Sequence, residues 1–381
     1  MGKWRYKKKS PIPAYRKGSK AGSISLSVSE TKKINNMRKF IKNIIFTKTP
    51  LMGKYRYEDL FQIYPLNIDG APNTDKTNHY PIIIEYWYET EGIEDVEVFG
   101  LENIDKMIST TTPQVNKLIE YTNLLSAITN YRFFYYRKPD TFWSLPLTRE
   151  DDVDQLSSEW SVSLYYYPNI ANDLRIEDFS DSDFPEILRL PQKIYYWYNP
   201  VEGHNKTITL PDTIDDILLK YFSATTEENI VANSCIYQIC NGIDLLDKIK
   251  SLSFFSFVSA IETLVNYEFK DEKVEYLCND CKSLKDSTRH CNKCGSPIWG
   301  VTAKYREFLF KYVSNEPKAK KLYNNIYNIR SQITHTDFLF AGELFLDWKH
   351  NDKTEEIFKT HLSAMQLSRR SLINWLQKKD N

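Results

Sequence analysis

A chain of 381 residues exceeds one ordinary hydrophobic core and predicts two domains. Hydrophobic residues make up 41% and charged residues 26%, a globular composition, and no apolar run reaches the roughly 18 residues that a membrane span needs. Lys plus Arg and Asp plus Glu number 50 each, so the net charge is zero. The first twenty residues nevertheless carry eight basic groups (Lys3, Arg5, Lys7, Lys8, Lys9, Arg16, Lys17, Lys20) and no acid, so the remainder is net acidic. This basic start lacks the apolar segment of a signal peptide. The expected location is the cytoplasm, with no membrane partner.

Residues 1–27, broken by Pro11 and Pro13 and poor in aliphatics, read as a basic disordered tail. It is either a solubilising arm or an electrostatic arm for nucleic acid, with Trp4, Tyr6 and Tyr15 available to stack on bases. Residues 28–208 read as an α+β domain of unknown type with aromatic-rich strands, open to a sensor or regulatory role. "SETKKINNMRKFIKNII" (29–45) reads as a helix. "YPIIIEYWYET", "YRFFYYRK", "WSVSLYYYP" and "KIYYWYN" are dense in aromatic and β-branched residues and read as strands. Between them "TPQVNKLIEYTNLLSAI" keeps Val115, Leu118, Ile119, Leu125 and Ile128 mostly on one helical face.

Residues 209–381 read as an all-α bundle. Helical patterns begin at "LPDTIDDILLKYFSA" and continue over 227–250, 252–268, 301–314, 318–335 and 354–377. In the third, Phe254, Val258, Ile261 and Val265 share a face. Cys235 and Cys240, five apart on a helix, point about 140° away from each other and read as buried free thiols of a reducing compartment.

The bundle is interrupted at 274–299 by "CNDCKSLKDSTRHCNKCG". Cys278 with Cys281, and Cys291 with Cys294, form two C-x2-C pairs. Two such knuckles place four thiolates tetrahedrally around Zn2+. Four protein ligands fill the shell, so the zinc ribbon is structural, with one zinc per chain. His290 adjoins Cys291, but the four cysteines suffice without it. Lys282, Lys285, Arg289 and Lys293 on the ribbon read as a solvated surface, with contact to nucleic acid as the alternative.

The stretch "NIRSQITHTD" (328–337) holds Arg330 and His335 at the tail of a helix whose apolar face is Leu322, Ile326, Ile329 and Ile333. Arg330 lies at the edge of that face. His335 is about 140° further round, so the two share no face unless the helix loosens near Thr334. Two chains about a two-fold axis would gather two arginines and two histidines in one cleft. The plainer alternative is that basic groups suit a helix C-terminus, where the dipole is negative.

"LYNNIYNIRSQITHTD" resembles the signature helix of HEPN domains, especially the ApeA-type group associated with bacterial anti-phage defence. "FFSFVSAIETLVN" resembles the family's helix that carries a glutamate in an apolar setting, here Glu262. The resemblance covers about residues 210–381, ribbon included. It implies a helical homodimer that cuts RNA without a catalytic metal, with the family's arginine and histidine mapping onto Arg330 and His335. In place of the Asn, Asp or His usual after the arginine stands Ser331, which can still donate and accept hydrogen bonds.

The residue types fit that chemistry on their own terms. RNA carries its own nucleophile, the 2′-hydroxyl. Histidine suits proton transfer at neutral pH, and arginine offers a charged planar fork to phosphate oxygens. His335 is the expected general acid/base and Arg330 the transition-state clamp. Glu262 and Ser331 are secondary candidates for orienting or binding. The expected substrate is tRNA or mRNA and the expected products are 2′,3′-cyclic phosphate ends, in an abortive-infection effector released by a phage or host trigger. The alternative is a non-catalytic module, braced by zinc, that dimerises and binds nucleic acid or protein. The acidic clusters Glu150, Asp151, Asp152, Asp154 and Glu177, Asp178, Asp181, Asp183 read as solvated loops or helix starts rather than metal-nuclease sites. Phosphate-binding loops, dinucleotide fingerprints and nucleophile elbows are absent from the sequence.

Overall fold

The computed structural model describes residues 37–66, 80–90, 102–135, 176–197, 203, 205–270, 276–277, 284–285, 301–336, 338–340, 343 and 352–378. The basic tail, the "WSVSLYYYP" segment, the Glu150–Asp154 cluster and all four ribbon cysteines lie outside these residues.

Strands β1 (Met37–Thr47), β2 (Tyr55–Tyr57), β3 (Phe61–Pro65) and β4 (Tyr80–Thr90) form an antiparallel sheet in the order β1-β4-β3-β2. Alternation along β4 puts Ile82, Ile84, Tyr86 and Tyr88 into the core, where they meet helix α1 (Glu102–Ile128). Tyr121 of α1 packs 4.9 Å from Phe61 and 5.6 Å from Tyr86, ring centre to ring centre.

The opposite face buries a charge. Glu85 is fully buried, yet it accepts from Gln62 Nε2 at 2.6 Å, the Tyr64 hydroxyl at 2.6 Å, and Ser180 N and Oγ at 2.8 and 2.6 Å. Lys42, directly across the ladder, lies 3.2 Å away. Burial pushes this carboxyl up, but the hydrogen bonds from Ser180, Tyr64 and Gln62 outweigh it and hold it below its ordinary value. The acidic segment 177–183 is accordingly a loop that seals Glu85.

Three expectations for this half are corrected. Within 29–45, the described part is a strand, β1, paired with β4 along all eleven residues. Ile41 and Ile45 fit a helical spacing, but pairing with the Ile-rich β4 overrides it. "KIYYWYN" contains a short helix, α2 (Gln192–Tyr195), not a strand. Pro191 precedes its first turn, the Tyr195 hydroxyl accepts from Asn130 N at 3.0 Å, and the Tyr196 hydroxyl donates to the Ile128 carbonyl. These two tyrosines tie the segment to the end of α1. "YRFFYYRK" contributes one bridge, Phe46 with Phe134, within its described residues.

Short strands β5 (Arg189–Leu190) and β6 (Leu210–Pro211) pair in parallel and lead into the helical region. Its helices are α3 (Ile214–Phe222), α4 (Thr226–Leu245), α5 (Lys250–Glu268), α6 (Val301–Tyr312), α7 (Pro317–His335) and α8 (Asp352–Leu376). A capping box starts α4: Thr225 Oγ1 accepts from Glu228 N while the Glu228 carboxylate accepts from Thr225 N. At the centre stands α5, with Phe254, Val258, Ile261 and Val265 all buried as its periodicity predicts. Cys235 and Cys240 are buried free thiols, and burial pushes the Cys240 thiol up to about 11. One apolar core runs from Ile45 in the sheet to Leu376 in α8. Arg132 crosses between the halves to Asp244 at 2.7 and 2.8 Å.

His361 of α8 is 1% exposed, walled by Phe254, Phe257 and Phe340. Its Nε2 lies 2.9 Å from Ser253 Oγ, which donates to the Gly242 carbonyl at 2.6 Å. The imidazole therefore serves as a neutral donor, and burial lowers its pKa to about 4. A folded pKa below the unfolded value means stability is complete above the unfolded pKa and is lost as pH falls towards the folded one. Chemical denaturation should show about 3 kcal/mol lost between pH 6.5 and 4, and less in a His361→Gln variant. The Glu85 carboxylate adds its own loss only below its ordinary range. A wild-type profile flat from pH 7 to 4.5 rejects the assignment.

Candidate functional site

Helix α7 begins with Pro317 in its first turn, where a missing N–H costs nothing. Tyr323, Ile326 and Ile329 are buried, and Leu322 and Ile333 pack half-buried beside them. The expected apolar face is present, extended by Tyr323. It packs α7 against α5 and fixes Arg330 at the seam between the two helices.

There Arg330 meets Glu262. Arg330 Nη2 donates to Glu262 Oε2 at 3.0 Å, with the two side chains 21% and 13% exposed. The guanidinium carbon sits 5.1 Å from the centre of the Phe255 ring and 5.9 Å from that of Tyr327. Two residues picked out separately in the sequence, 68 positions apart, thus form one partly buried ion pair flanked by aromatic rings.

His335 does not join them. The helix continues unbroken to His335, and Thr334 Oγ1 donates back to the Arg330 carbonyl at 2.7 Å. No loosening brings the imidazole round. His335 is exposed at the last turn, about 7.5 Å further along the axis and about 140° round from Arg330. Ser331, half-buried, lies between them in sequence.

Sequence reasoning missed three side chains here. Phe255 lies about two turns before Glu262 on the same side of α5, and Tyr327 lies three before Arg330 on α7, a spacing of helical neighbours. Burial raises the Tyr327 hydroxyl above its ordinary pKa, the Glu262 charge adds to this, and Arg330 opposes it. Tyr305 of α6 gave no signal. It is fully buried with its ring 5.2 Å from Tyr327, and burial followed by the Glu262 charge pushes its phenol well above the ordinary value. Its hydroxyl and Arg330 Nε are both buried without a hydrogen-bond partner among the described residues.

The described residues hold no group of three or more His, Cys, Asp or Glu side chains arranged for a metal. They do include the flanks of the first cysteine pair. Strands β7 (Tyr276–Leu277) and β8 (Leu284–Lys285) form an antiparallel hairpin, with Leu277 opposite Leu284, and Cys278 and Cys281 fall in the segment that joins them. No helix among the described residues is long and apolar enough to cross a membrane. No protein-family model, curated protein or solved structure matches the chain.

Proposed function

We propose that the chain is a metal-independent RNA endonuclease acting as a homodimer through its helical half. The observation that carries this reading is Arg330, held half-buried between Phe255, Tyr327 and Glu262, upstream of an exposed His335 on the same helix. In the reaction the 2′-oxygen loses its proton and attacks the adjacent phosphorus. The bond to the 5′-oxygen breaks, and that oxygen takes a proton. The products are a 2′,3′-cyclic phosphate and a 5′-hydroxyl. His335 moves a proton, and Arg330 carries the added negative charge on the phosphoryl oxygens. Because the two diverge within one chain, a second copy supplies the complementary group across a two-fold axis.

Cys278, Cys281, Cys291 and Cys294 would hold one structural zinc. The β7–β8 hairpin supports this, since its two strands flank the first cysteine pair in sequence. A metal there contributes folding free energy to the connection between α5 and α6. The resemblance to anti-phage proteins supports a role as a defence effector acting on tRNA or mRNA, with the N-terminal half restraining it until a phage or host trigger arrives.

A second reading has its own observation. The Arg330–Glu262 pair satisfies the arginine internally, as a purely structural contact in a dimerising binding module would. The two readings part on one experiment. The purified chain should cut RNA in the presence of a chelator of labile metals and leave an oligonucleotide with 2′-deoxyribose at the cut site intact. Cleavage that stops with chelator, or that accepts the deoxy substrate, refutes the proposed chemistry. Binding without any cleavage selects the module.

A further inference from the structure

We infer that the seat held by the Glu262 carboxylate is an oxyanion site for an RNA backbone phosphate, built from Arg330, Tyr327 and Tyr305. The inference rests on the nuclease reading and adds which further donors hold the phosphate and which internal group competes with it. Two helices supply the donors and a third their present acceptor: α7 gives Arg330 and Tyr327, α6 gives Tyr305, and α5 brings Glu262.

The donor count points to a ligand. Glu262 takes Arg330 Nη2, yet Arg330 Nε and the Tyr305 hydroxyl stay buried and unpaired among the described residues. An orphaned buried donor is costly, and two remain here that the Glu262 carboxylate leaves unengaged. Both phenols are held protonated by burial, so they enter as donors at neutral pH. A charged fork with flanking neutral donors matches a phosphodiester, which offers two anionic oxygens at tetrahedral spacing.

The site also has an entrance. Arg330 and Glu262 keep 21% and 13% of their side-chain surface exposed, so the α5–α7 seam opens where the pair lies. Displacing Glu262 leaves a largely buried carboxylate without its partner, so an incoming phosphate meets competition rather than an empty seat. Glu262 is therefore an internal substitute for the phosphate. It keeps the arginine in place without substrate and must yield before the clamp closes.

The test uses the full chain with two probes, inorganic phosphate and a 2′-O-methyl RNA oligonucleotide that cannot be cut. Glu262→Gln removes the competing charge and should bind both about tenfold more tightly, the worth of one hydrogen bond to a charged group. Tyr305→Phe removes only an unpaired hydroxyl, so the protein should melt no lower than wild type yet bind both probes about tenfold more weakly. Tyr305→Phe with wild-type affinity overturns the site, and so does Glu262→Gln with unchanged or weaker binding. Tighter binding of inorganic phosphate alone overturns the RNA assignment. Cleavage is scored separately on wild type with unmodified RNA. Binding gains without wild-type cleavage thus count against the nuclease reading and leave the phosphate site standing.

Discussion

The His335→Ala protein should fold, keep its dimer and cut RNA about 10²–10⁴-fold more slowly than wild type, the usual contribution of a positioned proton-transfer group. The fold should tolerate the change because His335 is exposed at the end of α7, outside the packed face. Among the described residues, the stabilisation at stake is its interaction with the helix terminus, about 0.3–1 kcal/mol. Arg330→Ala should lose comparable activity but also stability, since it strands the largely buried Glu262 carboxylate. Arg330→Lys should recover part of the activity, because lysine restores the charge and loses the fork. If each cleft draws on both chains, mixing the two inactive alanine variants should restore cleavage, which neither shows alone. His335→Ala that folds and cuts at the wild-type rate moves the active site elsewhere. His335→Ala that unfolds returns the residue to a structural helix-end role.

Legibility followed the length and regularity of each element. The helices of the C-terminal half repeat apolar residues over several turns, so their existence and buried faces could be read directly, as with Phe254, Val258, Ile261 and Val265. In β1 the spacing of Ile41 and Ile45 suits a helix as well as a strand, and only β4, more than thirty residues on, decides the matter. Tyr195 and Tyr196 sit in a run that looks like a strand because it is aromatic, but their hydroxyls are committed to the end of α1. The candidate site divides in the same way. Arg330, His335 and Glu262 stand out by type and local pattern, whereas the contact between Arg330 and Glu262 exists only once α5 and α7 pack. Tyr305 is one tyrosine among 26, and nothing local distinguishes it. Its unpaired hydroxyl is visible only in three dimensions.

Replacing one ribbon cysteine should be the most destabilising single change in the helical half. Free metal-binding peptides gain about 10–16 kcal/mol of apparent binding energy from a four-ligand zinc, and that energy is folding energy. Removing one thiolate opens the shell to water and loses much of it. Cys294→Ser should leave the purified chain with almost no zinc by mass spectrometry, against an expected one per chain in wild type. Its stability should fall by more than about 4 kcal/mol, a size reserved for lost metals, buried charges and large cavities. Cys278→Ser should do the same, because the proposed four-cysteine shell cannot close with one thiolate missing. Cys235→Ser is the control, since that thiol is buried in α4 and is not one of the four proposed ligands, so zinc should stay in place. The consequence reaches the proposed catalytic chemistry. The ribbon connects α5, which carries Glu262, to α6, which carries Tyr305. Loss of zinc should therefore abolish cleavage without touching Arg330 or His335. Cys294→Ser with unchanged zinc content refutes the four-cysteine site. Cys294→Ser with no zinc but full stability shows that the helices hold together without it.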